Sequence, residues 1–400
     1  MSKKSLHNFC LYIYALSLPF EYWDPFNLLG IVSFVRIIAI FYILAALLNH
    51  NYSFRTRFTN PFVIPITLMF IFFVVSNLIN IPYYGSDNLI INTSLLQNII
   101  LFWILANHLS SEPRLLQNVL LAFVMGVLLL SVLYFFEIGL VFRHDRITVF
   151  GDNPNNQGTK VAFASIILIY FTIKDYFNIR KKRFLFLAPV PLFLTFMADT
   201  GSRGAILTFI LGIFLVFFLF KTNKKYKNML LMLVGVLVAL LALRWSLNQE
   251  TLGARMHQFT EEGSLGGRAE LWNKSYAIFL KSPVLGVGED GFRKEMTSEF
   301  GRNRSAHNLF LYSLAVSGLL GISFLMIFIF RLYKASRYPL NYDNHLLLVL
   351  FILVLFAMFR SGGSFGDKFY FFTFAIICAS QIGHQTTVIL EENESNYFEK

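Results

Sequence analysis

Residues 115–136 read LLQNVLLAFVMGVLLLSVLYFF, twenty-two positions from Leu115 to Phe136 with no charged side chain. At about 1.5 Å per residue, a helix of that length crosses the roughly 30 Å hydrocarbon core of a bilayer. Only a helix or a closed barrel satisfies every backbone N–H and C=O in lipid, and an unbroken apolar run selects the helix. Runs of the same kind recur in both directions. Spans are placed near 6–20, 28–48, 61–80, 89–109, 115–136, 158–174, 184–198, 204–220, 228–246, 306–333, 344–359 and 369–384. The predicted fold is therefore an all-α integral membrane protein with about 12 transmembrane helices. It divides into helices 1–9 (1–246), a long polar loop with short amphipathic helices (247–305), helices 10–12 (306–384) and a polar tail (385–400), disordered from Glu391.

The whole composition agrees. The chain is 56% hydrophobic and 17% aromatic, and only 14% of residues are charged, against about a quarter in soluble domains. Pro19, Glu21 and Trp23 follow the first run in place of a small-residue cleavage site, so that run reads as part of the mature chain. Cys10 and Cys378 both fall inside spans and form no disulfide or metal pattern.

The net charge of +11 is a topology signal here and does not imply nucleic-acid binding. Lys3, Lys4, Arg55, Arg57, Arg180 to Arg183, Lys221, Lys224, Lys225, Lys227, Lys334 and Arg337 all fall on one side of the alternating spans. Glu21, Asp24 and Asp87 fall on the other. The positive-inside rule places both termini in the cytoplasm. Three segments on the outer side oppose that rule by carrying cations: Arg143 to Lys160, Asp199 to Arg203, and the stretch from about 247 to 305. Something other than topology requires them.

Within the long loop, Gly267 to Ser282 reads as an amphipathic helix with Leu271, Trp272, Tyr276, Phe279 and Leu280 on one face. It fits either a helix lying on the membrane or one capping the bundle. Gly266 and Gly267 precede Arg268, which reaches a phosphate or pairs with Glu270.

Even-numbered spans start on the outer side, where helix N-termini present free N–H groups and positive potential to anions. The eighth opens with Asp199-Thr200-Gly201-Ser202-Arg203-Gly204. Thr200 or Ser202 caps it, and Arg203 offers a forked donor suited to phosphate. A snorkelling interfacial arginine is the plain alternative. The tenth opens with Ser305-Ala306-His307-Asn308. There the helix dipole and nearby arginines disfavour protonation, leaving a neutral imidazole able to act as a base; a capping histidine is the alternative. Before the sixth span, Gly151 to Gly158 is a turn-rich amide segment that includes Asn155, with Arg146 just upstream. Arg36, inside the second span, and Arg360, at the end of the eleventh, are costly intramembrane cations, functional or snorkelling. The sequence contains no nucleotide loop, nucleophile elbow or metal-ligand cluster, so no cofactor is expected.

These residues together resemble the O-antigen ligase and polymerase superfamily of bacterial envelope glycosyltransferases. His307-Asn308, followed after nine residues by Gly318-Leu319-Leu320-Gly321, carries the resemblance furthest. Gly201 to Gly204, Gly267-Arg268 with Leu271-Trp272, and Ser282-Pro283-Val284-Leu285-Gly286-Val287-Gly288 match further family elements in order. The resemblance implies an inner-membrane enzyme with a periplasmic loop between helices 9 and 10. Such an enzyme moves a glycan from undecaprenyl diphosphate to an acceptor hydroxyl, without a metal and with inversion. The ligase acceptor is lipid A–core; the polymerase acceptor is another lipid-linked repeat. By position, His307 is the implied base and Arg203 and Arg268 hold the diphosphate, with Ser202, Asn308, Glu270, Arg146, Asn155, Arg360 and Arg36 in support. A flippase for lipid-linked glycan is the competing class. The clustering of polar residues at one face, away from the bilayer midplane, weighs against it.

Overall fold

A computed structural model describes residues 3–26, 33–56, 59–85, 91–112, 114–143, 146–174, 177, 179–219, 237, 244, 268–337, 345–363 and 365–398. In chain order its helices are α1 (Lys3–Ser17), α2 (Phe34–Leu47), α3 (His50–Ser53), α4 (Asn60–Tyr84), α5 (Ile91–Ser111) and α6 (Leu115–Phe135). A short hairpin follows, β1 (Leu140–Arg143) antiparallel to β2 (Arg146–Val149) with Leu140 opposite Val149. Then come α7 (Pro154–Lys174), α8 (Val190–Asp199) and α9 (Arg203–Leu219). The final group is α10 (Arg268–Lys281), α11 (Gly288–Phe300), α12 (Leu309–Ser336), α13 (His345–Ser361) and α14 (Lys368–Phe398).

The chain is an all-α membrane protein. Asn60–Tyr84, Leu115–Phe135 and Leu309–Ser336 are long and apolar enough to cross a bilayer, and Phe34–Leu47, Arg203–Leu219, His345–Ser361 and Lys368–Gly383 are shorter apolar helices. The span expected at 228–246 lies outside the described residues, apart from Leu237 and Arg244. So do 247–267 with Gly266 and Gly267, the lysines from Lys221 to Lys227, and Arg57 and Asp87.

Several boundaries differ from the sequence expectation. The helix expected from 158 begins at Pro154, because Asn153 caps it by accepting from Asn155 N at 2.9 Å and proline occupies the first turn. The seventh span is not one α-helix: Arg180–Leu187 is 3₁₀, and α8 starts only after Pro189. Arg36 lies in the first turn of α2, half-buried, and not deep within a span. Helix α14 continues to Phe398 where disorder was expected, and no glycine or proline after Gly383 interrupts it. The hairpin was not expected; Val141, Phe142, Ile147, Thr148 and Val149 are the strand-forming residues that marked it.

The chain forms two compact units, each assembled from separated stretches. Unit 1 holds 1–48 and 116–264. Its centre is α7, buried along most of its length and packed on α8 and α9. Against α6, a side chain at Gly126 would collide with the carbonyl of Leu16, so α1 and α6 are in backbone contact. Tyr134 donates to the Asp199 carboxylate and ties α6 to the end of α8.

Unit 2 holds 49–115 and 265–400. Here α12 packs on α4, α10, α13 and α14, and α11 packs on α4. Helix α12 is broken inside at Gly318 (φ 62°, ψ −164°). The break frees backbone groups that the segment 283–287 then satisfies. Leu319 N donates to Pro283 O at 2.8 Å, Leu320 N to Val284 O at 3.2 Å, and Val287 N to Ala315 O at 3.0 Å. Helix α4 seats the other side: Ser76 donates to Leu285 O, Asn80 to Gly286 O at 3.1 Å, and Asn77 accepts from Glu289 N. Irregular backbone within a membrane protein is tolerated where other protein groups satisfy it in this way.

Candidate functional site

Unit 2 builds a cationic site around His307. Asn308 is the N-cap of α12: its side chain accepts from Phe310 N at 3.0 Å and Leu311 N at 3.1 Å. The cap fixes the chain direction, and His307, just before it, takes a left-handed φ of 50°. Non-glycine residues held there concentrate at functional positions. The capping role considered for His307 therefore belongs to Asn308, and the apolar helix starts at Leu309, not at 306.

Three arginines act on the imidazole. Its pKa is lowered to about 4, first by burial and then by Arg268, Arg360 and Arg304 in turn. The sequence indicated the direction, but attributed it to the dipole and neighbouring charge; burial is the larger cause. Arg268 opens α10, whose buried residues Leu271, Ser275, Ile278 and Phe279 hold it in place. One turn on, the Trp272 ring packs on Phe359 at 5.7 Å, next to Arg360. Its buried indole Nε1 has no hydrogen-bond partner among the described residues. Arg360 ends α13 and is buried. The turn after it lies against the start of α12, where a Cβ at Gly363 would meet Ser305 at 3.2 Å. Asn98 holds the same turn by donating to Phe365 O at 2.8 Å.

Of the α10 face expected from the sequence, Leu271 and Phe279 are buried and Tyr276 and Leu280 are exposed at 51% and 56%. Glu270 stands exposed in the first turn and is not among the charges that act on His307. Arg304 was not singled out from the sequence. Its position three residues before His307 was the available signal, and it stacks on Phe300 at 5.2 Å.

Unit 1 carries the second cluster. Ser202 caps α9 by accepting from Ala205 N at 3.2 Å, so Arg203 is the first helical residue, partly exposed. Asn155 Oδ1 accepts from Ser202 Oγ at 3.1 Å and from Arg146 Nη2 at 3.0 Å, and Arg146 Nε donates to Thr200 O at 2.7 Å. The structure thus brings Arg146, Asn155, Ser202 and the Arg203 backbone together. Arg146 serves largely as a brace for the Thr200 turn. Arg36 belongs to unit 1 but appears in none of these contacts.

A multi-helix membrane protein with a capped His-Asn helix start ringed by arginines is the class these features define. Residues 184–326 match the model of the O-antigen ligase family. The match takes in Arg203, Arg268, His307 and the Gly318 break. A similar curated protein, from Haemophilus influenzae and described only as uncharacterized, is 23% identical over 187 residues, 42% of this chain. The matched stretch covers 46% of that relative, about half its length.

Proposed function

We propose that this protein is an O-antigen ligase-type glycosyltransferase. It takes a glycan from undecaprenyl diphosphate and joins it to an acceptor hydroxyl, lipid A–core in the ligase reaction, at the periplasmic face of the inner membrane. Both termini are then cytoplasmic, and the twelve-span topology places the start of α12 outside. The observation that supports this reading most directly is the partly buried His307, held at a left-handed φ just before the Asn308 cap, with Arg268, Arg360 and Arg304 close enough to lower its pKa.

The chemistry follows from that arrangement. The acceptor oxygen attacks the anomeric carbon as its proton passes to His307, which is unprotonated near neutral pH. The bond from the anomeric carbon to the diphosphate oxygen breaks, and undecaprenyl diphosphate leaves with the electron pair. Arg268, with Arg304 and Arg360 beside it, stabilises the charge that grows on the diphosphate. The resemblance of Gly201 to Gly204 to a family element supports giving Arg203, at the start of a capped helix in its own unit, the role of a donor-diphosphate ligand. An already good leaving group asks for positioning and charge neutralisation more than for covalent catalysis.

Purified protein, both lipid substrates and detergent form the test. Wild type is expected to make glycosidic product, and His307→Ala to make none while remaining folded and inserted. Normal turnover by His307→Ala removes the base, and transport of the lipid-linked glycan without bond formation removes the enzyme. A deletion strain separates the two acceptors: long unattached polymer marks a ligase, and single repeats mark a polymerase.

A further inference from the structure

Unit 1 buries a charged triad that the proposed chemistry does not use. Lys160, in the second turn of α7, is 2% exposed. Its Nζ lies 3.3 Å from Asp152 Oδ2 and 3.4 Å from Glu21 Oε2, and both carboxylates are buried. The same Nζ sits 5.8 Å from the centroid of the Tyr22 ring. Next to it, Trp23 stacks on Phe150 at 4.6 Å. The clasp therefore joins the segment after α1 to the start of α7.

The start of α7 is fastened twice more. Gln157 holds Val149 by accepting from its N–H at 3.0 Å and donating to its carbonyl at 2.6 Å. Asn155 holds Arg146 and Ser202. Gly158 completes the contact, since a Cβ there would lie 2.7 Å from Ala205 Cβ and 3.0 Å from Thr200 Oγ1. The turn bearing Arg203 thus rests directly on the first two turns of α7.

A buried ion cluster is a weak source of stability, because desolvation offsets most of the attraction. What it supplies is a fixed direction: the ammonium has one place to sit, between two carboxylates on different segments. Burial pushes the Asp152 carboxyl up to about 6 against the opposing pull of Lys160, so the cluster is held at a cost and not by default.

We propose that Lys160 is a positioning residue for donor binding: its clasp with Glu21 and Asp152 sets the start of α7 and, through Asn155 and Gly158, the aim of Arg203. This rests on the reading that Arg203 binds the donor diphosphate.

The test measures the affinity of full-length protein in nanodiscs for undecaprenyl diphosphate, beside thermal unfolding. Lys160→Met is expected to weaken binding roughly tenfold to a hundredfold, the scale of a lost or misaimed charged hydrogen bond, with Lys160→Arg recovering most of it. Wild-type affinity in Lys160→Met, with only a lower unfolding temperature, overturns the proposal and marks the triad as structural. If Lys160→Met does not fold, Glu21→Gln/Asp152→Asn/Lys160→Met leaves no charge in this cluster and is judged by the same two outcomes. Arg203→Gln is run alongside. Unchanged binding there sinks the diphosphate reading itself, whereas weakened binding there with normal binding in the Lys160 variants sinks only the positioning role.

Discussion

Gly318→Ala tests the broken helix directly. Gly318 has φ 62° and ψ −164°, a region essentially reserved for glycine, and a side chain forced there costs about 1–3 kcal/mol. The new methyl would also collide with the Val284 carbonyl and crowd Gly286 N. Relief requires the segment 283–287 to move away, which breaks the Leu319–Pro283, Leu320–Val284 and Val287–Ala315 bonds. Each net hydrogen bond is worth about 0.5–1.5 kcal/mol. Strain plus the partial loss of three bonds gives roughly 3–6 kcal/mol, a large part of a typical 5–15 kcal/mol stability. For a unit of this size the unfolding temperature should fall by on the order of 10 °C. Gly286→Ala meets the same obstacle from the other side, since its φ is 75° and its Cβ would strike the Val316 carbonyl. Both changes break one apposition, so the double variant should lose clearly less than the sum of the two. Thermal unfolding of the four proteins in one detergent measures this. A Gly318→Ala protein that melts with wild type, or strict additivity in the cycle, refutes the break as a satisfied junction.

With the His307 pKa near 4, kcat/KM should stay level from neutral pH down to about pH 5 and fall roughly tenfold per unit below 4; Arg304→Gln, which removes one neighbouring cation, should shift that fall to higher pH. The same shift has a stability sign: the folded pKa lies below the unfolded value of 6.5, so stability is lost as pH falls from 6.5 toward 4, and His307→Gln should flatten that part of an unfolding-versus-pH curve. Asn308→Ala removes the acceptor for two N–H groups and should cost about 1 kcal/mol, with Asn308→Asp retaining most of the stability in the same melt. Arg203→Lys should weaken binding of undecaprenyl diphosphate about tenfold or more, the scale of a lost charged hydrogen bond, with no change in unfolding temperature. Undecaprenyl diphosphate at ten times its Kd should stabilise the protein by about 1.4 kcal/mol, and Arg268→Gln at that same lipid concentration should remove most of the gain.

What was legible in the sequence was whatever lipid imposes locally. The run at 115–136 is a helix to within one residue because every backbone group in a bilayer must be satisfied inside its own segment. The start of α9 was legible for a related reason, since Ser202 is a cap whose partner lies three residues away; the start of α12 is equally local, but the cap there is Asn308 and the helix begins three residues later than the apolar run suggests. The start of α7 is local too: Asn153-Pro154 lies in a segment rich in turn residues, yet an asparagine cap followed by proline is a helix-start signal. The break at Gly318 was not legible. Its glycine sits in an apolar stretch that reads as continuous helix, and only a segment thirty residues upstream, seated by Ser76, Asn77 and Asn80, makes the break affordable.

The cations on the outer side follow the same division. As sequence they are anomalies against the positive-inside rule, and the rule cannot say what holds them. The structure separates two kinds. Arg146 and Lys160 have protein partners at hydrogen-bond distance, Thr200 and Asn155 for one and Asp152 and Glu21 for the other, so their charge goes into architecture. Arg268, Arg304 and Arg360 act together on a single imidazole, and no acid is among the groups that shift it. Concentrated positive charge beside a partly buried imidazole raises the local concentration of an anion and favours a state in which negative charge has moved onto the ligand. Three guanidinium groups acting on one imidazole are why the proposed base is sought at the start of α12 and not beside the buried lysine.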